Sequence, residues 1–142
     1  MSTKALRAAR AKLKANAALT AFFTGRYGRD ARHFIGYKKP VNANDFPAIC
    51  YVPISSTQPD EVGGMAKERV SIVIAINEPD ITDDVFDGIT QGDAIEALVL
   101  DCLEDGALGV GAMYLGEARI TTDLGIRHPF YEREITVLLA AR

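Results

Sequence analysis

Two runs rich in Val and Ile, residues 47–54 and 68–77, flank a polar, glycine-bearing stretch at 55–67. In the second run Val70, Ile72, Ile74 and Ile76 fall on one face, with Val73 and Ala75 on the other, which is the period-two alternation of a strand. The stretch between the runs is too long for a tight turn. It predicts an antiparallel hairpin with a protruding tip, and a loop of about a dozen residues in a small domain is usually functional or disordered.

The remaining elements fit around this hairpin. Residues 3–23 read as one Ala-rich helix, capped by Ser2 or Thr3 and anchored by Leu6, Leu13, Leu19, Phe22 and Phe23. Gly25, Gly28, Gly36, Pro40 and the 42–45 run give residues 24–46 a loop character, with one short extended piece at 32–37. Thr82 caps an acidic start, Asp83 and Asp84, of a helix reaching Glu104. Asp93 and Glu96 supply a second capping-box signal, so the segment reads as one helix or as a pair kinked near Gly92. After the glycines of 106–111, residues 113–121 and 130–140 form a second hairpin through a turn at 122–129. Tyr131, Ile135, Val137 and Leu139 face its core, and Glu132, Glu134 and Thr136 face out. The expected fold is a single α+β domain over residues 1–142. Its element order is α-β-β-α-β-β, with an antiparallel sheet of about four strands packed against two helices.

Charge is sorted along the chain. Up to Lys39 there are ten Lys or Arg and one acid, Asp30; beyond it the acids outnumber the bases eighteen to six. A subunit polarised in this way can steer a copy of itself into head-to-tail contact. The basic side chains Lys4, Arg7, Arg10, Lys12 and Lys14 lie on the first helix and could meet phosphates, but few aromatics stand ready to stack bases. A solvated or protein-contacting face is the plainer reading. No apolar run approaches the roughly 20 residues of a membrane span, and no signal-peptide block opens the chain. Cys50 and Cys102 lie in apolar stretches and read as buried reduced thiols.

The residue types of catalysis are sparse. His33 and His128 are the two histidines, and neither sits near a nucleophile in a recognisable motif. Cysteines and histidines are too isolated for zinc. Asp80, Asp83, Asp84 and Asp87 lack the alternating ligand pattern and glycine of a calcium loop, so a negatively charged helix start accounts for them better. The glycines 106, 109 and 111 follow a helix and precede a strand, the wrong order for cradling phosphate. No cofactor and no enzymatic activity are expected.

The order of elements resembles the lambda-like phage tail terminators, small ring-forming tail-completion proteins. The resemblance spans the chain. It rests on an N-terminal helix followed by Phe46-Pro47-Ala48-Ile49-Cys50-Tyr51-Val52, on the long polar loop before Arg69-Val70-Ser71-Ile72-Val73-Ile74, and on the closing segment from Thr122 to Glu132. It implies a virion structural protein, assembled in the host cytoplasm, whose hexameric ring caps the head-proximal end of the tail tube. Its partners would be itself, the tube protein and a head-completion or neck protein, with DNA passing through the lumen unread and no membrane involved. On that footing Gln58, Asp60, Glu61, Gly63, Gly64 and Lys67 form a partner-contact loop. The cations of the first helix meet a neighbouring subunit or the neck, and Asp83, Asp84 and Asp87 face the lumen. A neck or head-tail connector ring and a small nucleic-acid-binding module are the alternatives.

Overall fold

Asn16 interrupts the first helical pattern, because a short side-chain amide competes with the backbone for hydrogen bonds and so favours a cap over a helix interior. In a computed structural model, which describes residues 3–59, 61–109 and 111–142, the expected single helix is accordingly two. Helix α1 spans Lys4–Lys14 and α2 spans Ala17–Tyr27. The Asn16 side chain accepts from the Leu19 amide at 2.9 Å, and α2 stops at Gly28, whose φ of 78° suits a residue without a Cβ. Of the two expected caps, Ser2 lies outside the described residues. Thr3 makes no side-chain cap bond, although its Oγ1 accepts from Arg7 Nε at 3.0 Å.

The strands are β1 (Arg32–Ile35), β2 (Ala48–Thr57), β3 (Ala66–Asn77), β4 (Ile81–Thr82), β5 (Val85–Phe86), β6 (Ala107–Gly109), β7 (Ala112–Thr121) and β8 (Phe130–Ala141). A third helix, α3, runs over Asp87–Leu103. Six strands make one sheet in the order β1-β2-β3-β8-β7-β6, and β4 pairs with β5 in a separate ribbon. The two expected hairpins are its centre. The sheet is wider than the four strands expected and is not purely antiparallel, since β1 pairs parallel to β2 with Phe34 opposite Cys50. The connection that permits this contains a short 3-10 turn, Ala43–Asp45, tied by the Asp45 carboxylate accepting from the Val41 and Asn42 amides. At the other edge, the residues read as a glycine connector carry β6.

All three helices cover one face of the sheet. Leu6, Leu13, Leu19, Phe23, Ile95, Val99 and Leu103 close over Ile49, Tyr51, Val70, Ile72, Ile74, Ile76, Ile135, Val137 and Leu139. Each such side chain contributes about 1.5–3 kcal/mol when fully buried, so this layer is where the stability lies. The strand faces of β3 and β8 are those read from the sequence.

The region before α3 corrects the expected acidic helix start. Asp83 and Asp84 have φ of 50° and 63° and form the turn between β4 and β5, with Thr82 in β4. A two-residue hairpin turn whose twist matches the strands requires left-handed backbone at both positions, and Asp tolerates this better than most residues. The helix begins only at Asp87, whose carboxylate accepts from the Thr82 hydroxyl at 3.0 Å. Nor does α3 break at Gly92. Asp93 and Glu96 do not cap; both reach down to Arg133 of β8, a guanidinium 5% exposed beneath the helix.

Candidate functional site

With the α-helices all on one side, the other face of the sheet is covered only in part, by a small cluster of Phe46, Ala48 and Ala75 with Phe34 and Phe130. Along β2 it presents Cys50, Val52 and Ile54; along β3, Ser71, Val73 and Ala75; along β8, Glu132, Glu134 and Thr136. A groove of about 730 Å³ lies on this face. Its floor is Val52, Ser71 and Val73, and its walls include Tyr37, Ile54, Leu124, Ile126 and Arg127. Several of these apolar side chains are open to solvent, most of all Leu124 and Ile126 at 80% and 83%. A contiguous apolar surface with a polar rim marks an interaction site in a soluble domain.

The groove wall is built from the 122–129 segment, and Asp123 holds it. One carboxylate oxygen accepts from the Gly125 amide at 2.8 Å, and the other accepts from the Glu132 amide at 3.0 Å and meets Arg127 at 3.4 Å. Glu132 takes a second contact from Arg127 at 3.4 Å and a hydrogen bond from the Tyr37 hydroxyl. Burial and this carboxylate push the Tyr37 phenol up to about 12, so it remains the donor. Beside the groove, Phe46 stacks on Phe130 with centroids 5.0 Å apart, an aromatic pair of the kind that adds about 0.5–1.5 kcal/mol beyond its burial. At the groove Glu134 has no ion pair among the described residues and accepts from the Thr136 hydroxyl at 3.4 Å, while the buried Ser71 Oγ has no hydrogen-bond partner among them.

The cations of α1 are largely committed within the subunit. Arg10 donates to the His33 carbonyl at 3.1 and 3.2 Å, fastening β1 to the helix. Lys12 pairs with Asp105 and donates to the Ala107 carbonyl at 2.6 Å, which fixes β6. Lys4 donates to the Arg142 carbonyl at 2.9 Å, and Arg7 turns back to Thr3. Lys14 is exposed at the end of the helix. The basic helix is thus partly a clamp on the sheet edges, a role that its spacing alone did not reveal.

In the expected contact loop, Gln58, Glu61, Gly63 and Gly64 are exposed at the hairpin tip with Val62, while Lys67 lies in β3 and not in the loop. Asp60 lies outside the described residues. Asp83 and Asp84 project from the β4–β5 ribbon. Asp87 is separated from them in role, being half-buried and 3.6 Å from Arg26. Arg26 is held chiefly by Glu78, a buried carboxylate that accepts from its Nε at 2.6 Å, and the guanidinium's affinity for its proton rises accordingly.

Both histidines are partners of tyrosines. His128 Nδ1 lies 2.5 Å from the Tyr131 hydroxyl, and His33 Nδ1 lies 2.8 Å from that of Tyr51. Desolvation, with help from Lys14 and Arg10 against Asp30, pulls the His33 pKa from 6.5 down to about 4. Between those values the folded protein binds fewer protons than the unfolded chain, so stability falls as pH drops from 6.5 to 4. The loss attributable to His33 is on the order of 2 kcal/mol. Urea midpoints measured across this window should flatten in His33→Gln, and an unchanged slope would show that other groups set the acid limit.

Among the described residues there is no group of three or more His, Cys, Asp or Glu placed to hold a metal ion. No helix is long and apolar enough to cross a membrane. Both cysteines are buried and unpaired by disulfide, with thiols pushed up by burial.

No family model matches the chain, and no curated protein matches it in sequence. Its fold is similar to that of a chain in the virion of a native gene transfer agent particle, with a TM-score of 0.56 over 96% of this chain and 92% of that one. The two are 18% identical, so the likeness is one of fold.

Proposed function

We propose that this chain is a structural protein of a phage-like virion. In this reading it assembles as a ring, of six subunits by the resemblance noted above, that caps the head-proximal end of a tail tube. The ring stops tube growth and joins tail to head or neck, acting by contact and not by catalysis. The observation that carries the proposal is the near full-length fold likeness to a chain of the gene transfer agent virion.

The surface chemistry supports the same reading. A ring needs two different complementary patches on every subunit. The helix-free side of the sheet carries a groove walled by exposed apolar side chains, and on the opposite, helical side α1 and α2 are basic while α3 is acidic. The cations of α1 clamp sheet edges, which weighs against a nucleic-acid-binding role. Exposed ion pairs contribute only about 0 to 1 kcal/mol each, so apolar burial must hold the ring while charge sets orientation and rate.

Light scattering with negative-stain imaging tests the ring, and purified tube protein polymerised with and without this chain tests the cap. Monomers at all concentrations, or tubes of unaltered length, would refute the corresponding part. The hairpin tip, with Gln58, Glu61, Val62, Gly63 and Gly64 exposed, supplies the tube contact in this reading. Replacing it with a short turn should leave the melting temperature within a few degrees of the parent and abolish capping. Normal tube lengths with the trimmed protein would remove the tip from the function.

A further inference from the structure

We infer that the groove on the helix-free face of the sheet receives the α1–α2 layer of a second copy of this chain. The inference rests on the ring reading above and names the contact that closes it.

Charge complementarity identifies the occupant. The groove carries three carboxylates, Asp123, Glu132 and Glu134, against the single cation Arg127. The α1–α2 layer, Lys4–Lys14 and Ala17–Tyr27, has no acid; Arg10, Lys12 and Arg26 are engaged within the subunit, and Lys4, Arg7 and Lys14 are the exposed cations that can face a neighbour. Within one subunit the two surfaces cannot meet, because the sheet stands between them. Between copies they can, and the contact is then heterologous, the type that propagates around a ring.

The chemistry of both surfaces is incomplete in the isolated subunit. Ser71, 5% exposed on the groove floor, has a hydroxyl with no hydrogen-bond partner among the described residues, and a buried polar group left unpaired costs free energy. Glu134 stands beside it without an ion pair among the described residues. On the helical side, α2 is apolar around most of its circumference, yet only Leu19 and Phe23 are fully buried. Ala17, Ala18, Ala21 and Thr24 face outward. A helix apolar all round belongs in an interior. Small side chains on that face would allow the α2 backbone to approach the groove closely, with Lys14 brought near its carboxylates.

Two variants, each at an exposed position so that folding is preserved, make the test. Ile54→Arg sets a cation in the groove wall, and Ala21→Glu places a longer, helix-compatible side chain of the groove's own charge on the outward face of α2. Each alone should run as a 15.4 kDa monomer by light scattering, with the circular dichroism spectrum and melting profile of a folded domain. Mixed in equal amounts they should give a species of twice that mass and nothing larger, because the pair retains one intact groove and one intact helix face between them. If the parent forms rings and both variants still do, the contact lies elsewhere and this inference fails while the ring stands. A parent that is monomeric at every concentration removes both. Intact rings in both variants with tube capping lost would instead assign the groove to the tube protein.

Discussion

Gly88→Ala melts below the parent protein, with a net loss of about 2 kcal/mol, because overpacking costs about 3 kcal/mol while helix propensity alone favours the substitution by about 1 kcal/mol. The two effects have opposite signs, so the direction of the shift decides between them. A Cβ at Gly88 would lie 2.2 Å from the Cδ2 and Cε2 atoms of Tyr131, a contact that must force something to move. The ring has little freedom to do so. Tyr131 is 3% exposed, its hydroxyl is held by His128, and the chain at Gly125 closes on its far edge. The α3 axis must therefore lift from β8, opening gaps along a core that includes Ile95 and Val99. Gly25→Ala supplies the control, since its Cβ would meet nothing within 4 Å on α2, and a gain of up to about 1 kcal/mol is expected there. In a domain of this size a change of 1 kcal/mol moves the melting temperature by roughly 2–8 °C, so both shifts are measurable by calorimetry. A Gly88→Ala protein as stable as the parent would show that the helix rides higher over Tyr131 than described.

The paired variant Asp93→Asn with Glu96→Gln loses about 3 kcal/mol, read from urea unfolding. Arg133 lies under α3 at 5% exposure, and Asp93 and Glu96 hold its guanidinium from one side. Neutralising both leaves a buried cation without a counter-charge, and such losses exceed what the intact pair contributes over an apolar replacement. Adding Arg133→Met to the same background should therefore restore most of the lost stability. If the neutralised pair is as stable as the parent, solvent reaches the guanidinium and the ion pair is dispensable.

These two results share one geometry. Gly88 and Gly92 are four residues apart on a helix, a rise of about 6 Å, and Tyr131 and Arg133 are two apart on a strand, about 6.6 Å. One glycine sits over each large side chain; a Cβ at Gly92 would come 3.2 Å from the Arg133 guanidinium. The sequence allows Gly88 and Gly92 to be read as close-packing positions on α3. It does not show which side chains they admit, because the strand that carries them is about forty residues away.

Much of the fold was legible from local pattern. The β2–β3 and β7–β8 hairpins, the inward faces of β3 and β8, and the helix into which 82–105 resolves all follow from periodicity. Local signals were misread where two structures compete for one residue type. Asn16 caps α2 where an uninterrupted helix was expected. Asp83 and Asp84 turn a hairpin where a helix start was expected, since aspartate suits both a helix N-terminus and left-handed backbone. Asp93 and Glu96 have the spacing of a capping box but serve an arginine on another element. The candidate surface was less legible. Glu132 and Glu134 were seen to face outward and 122–132 stood out as a segment, but Tyr37, Ile54, Val73, Leu124 and Ile126 come together only across four separate stretches of chain.

By itself the sequence determined what near neighbours decide: where strands alternate, where helices run, which faces are apolar, and how charge divides along the chain. Tertiary structure alone decided that the helices gather on one side of a six-stranded sheet, that the basic helix fastens its edges, and that an acidic, apolar-floored groove is left open on the other side. The physical reason is that burial and pairing depend on distance in space. Residues such as Leu124 and Ile126 acquire their significance from what fails to cover them, which no local pattern records.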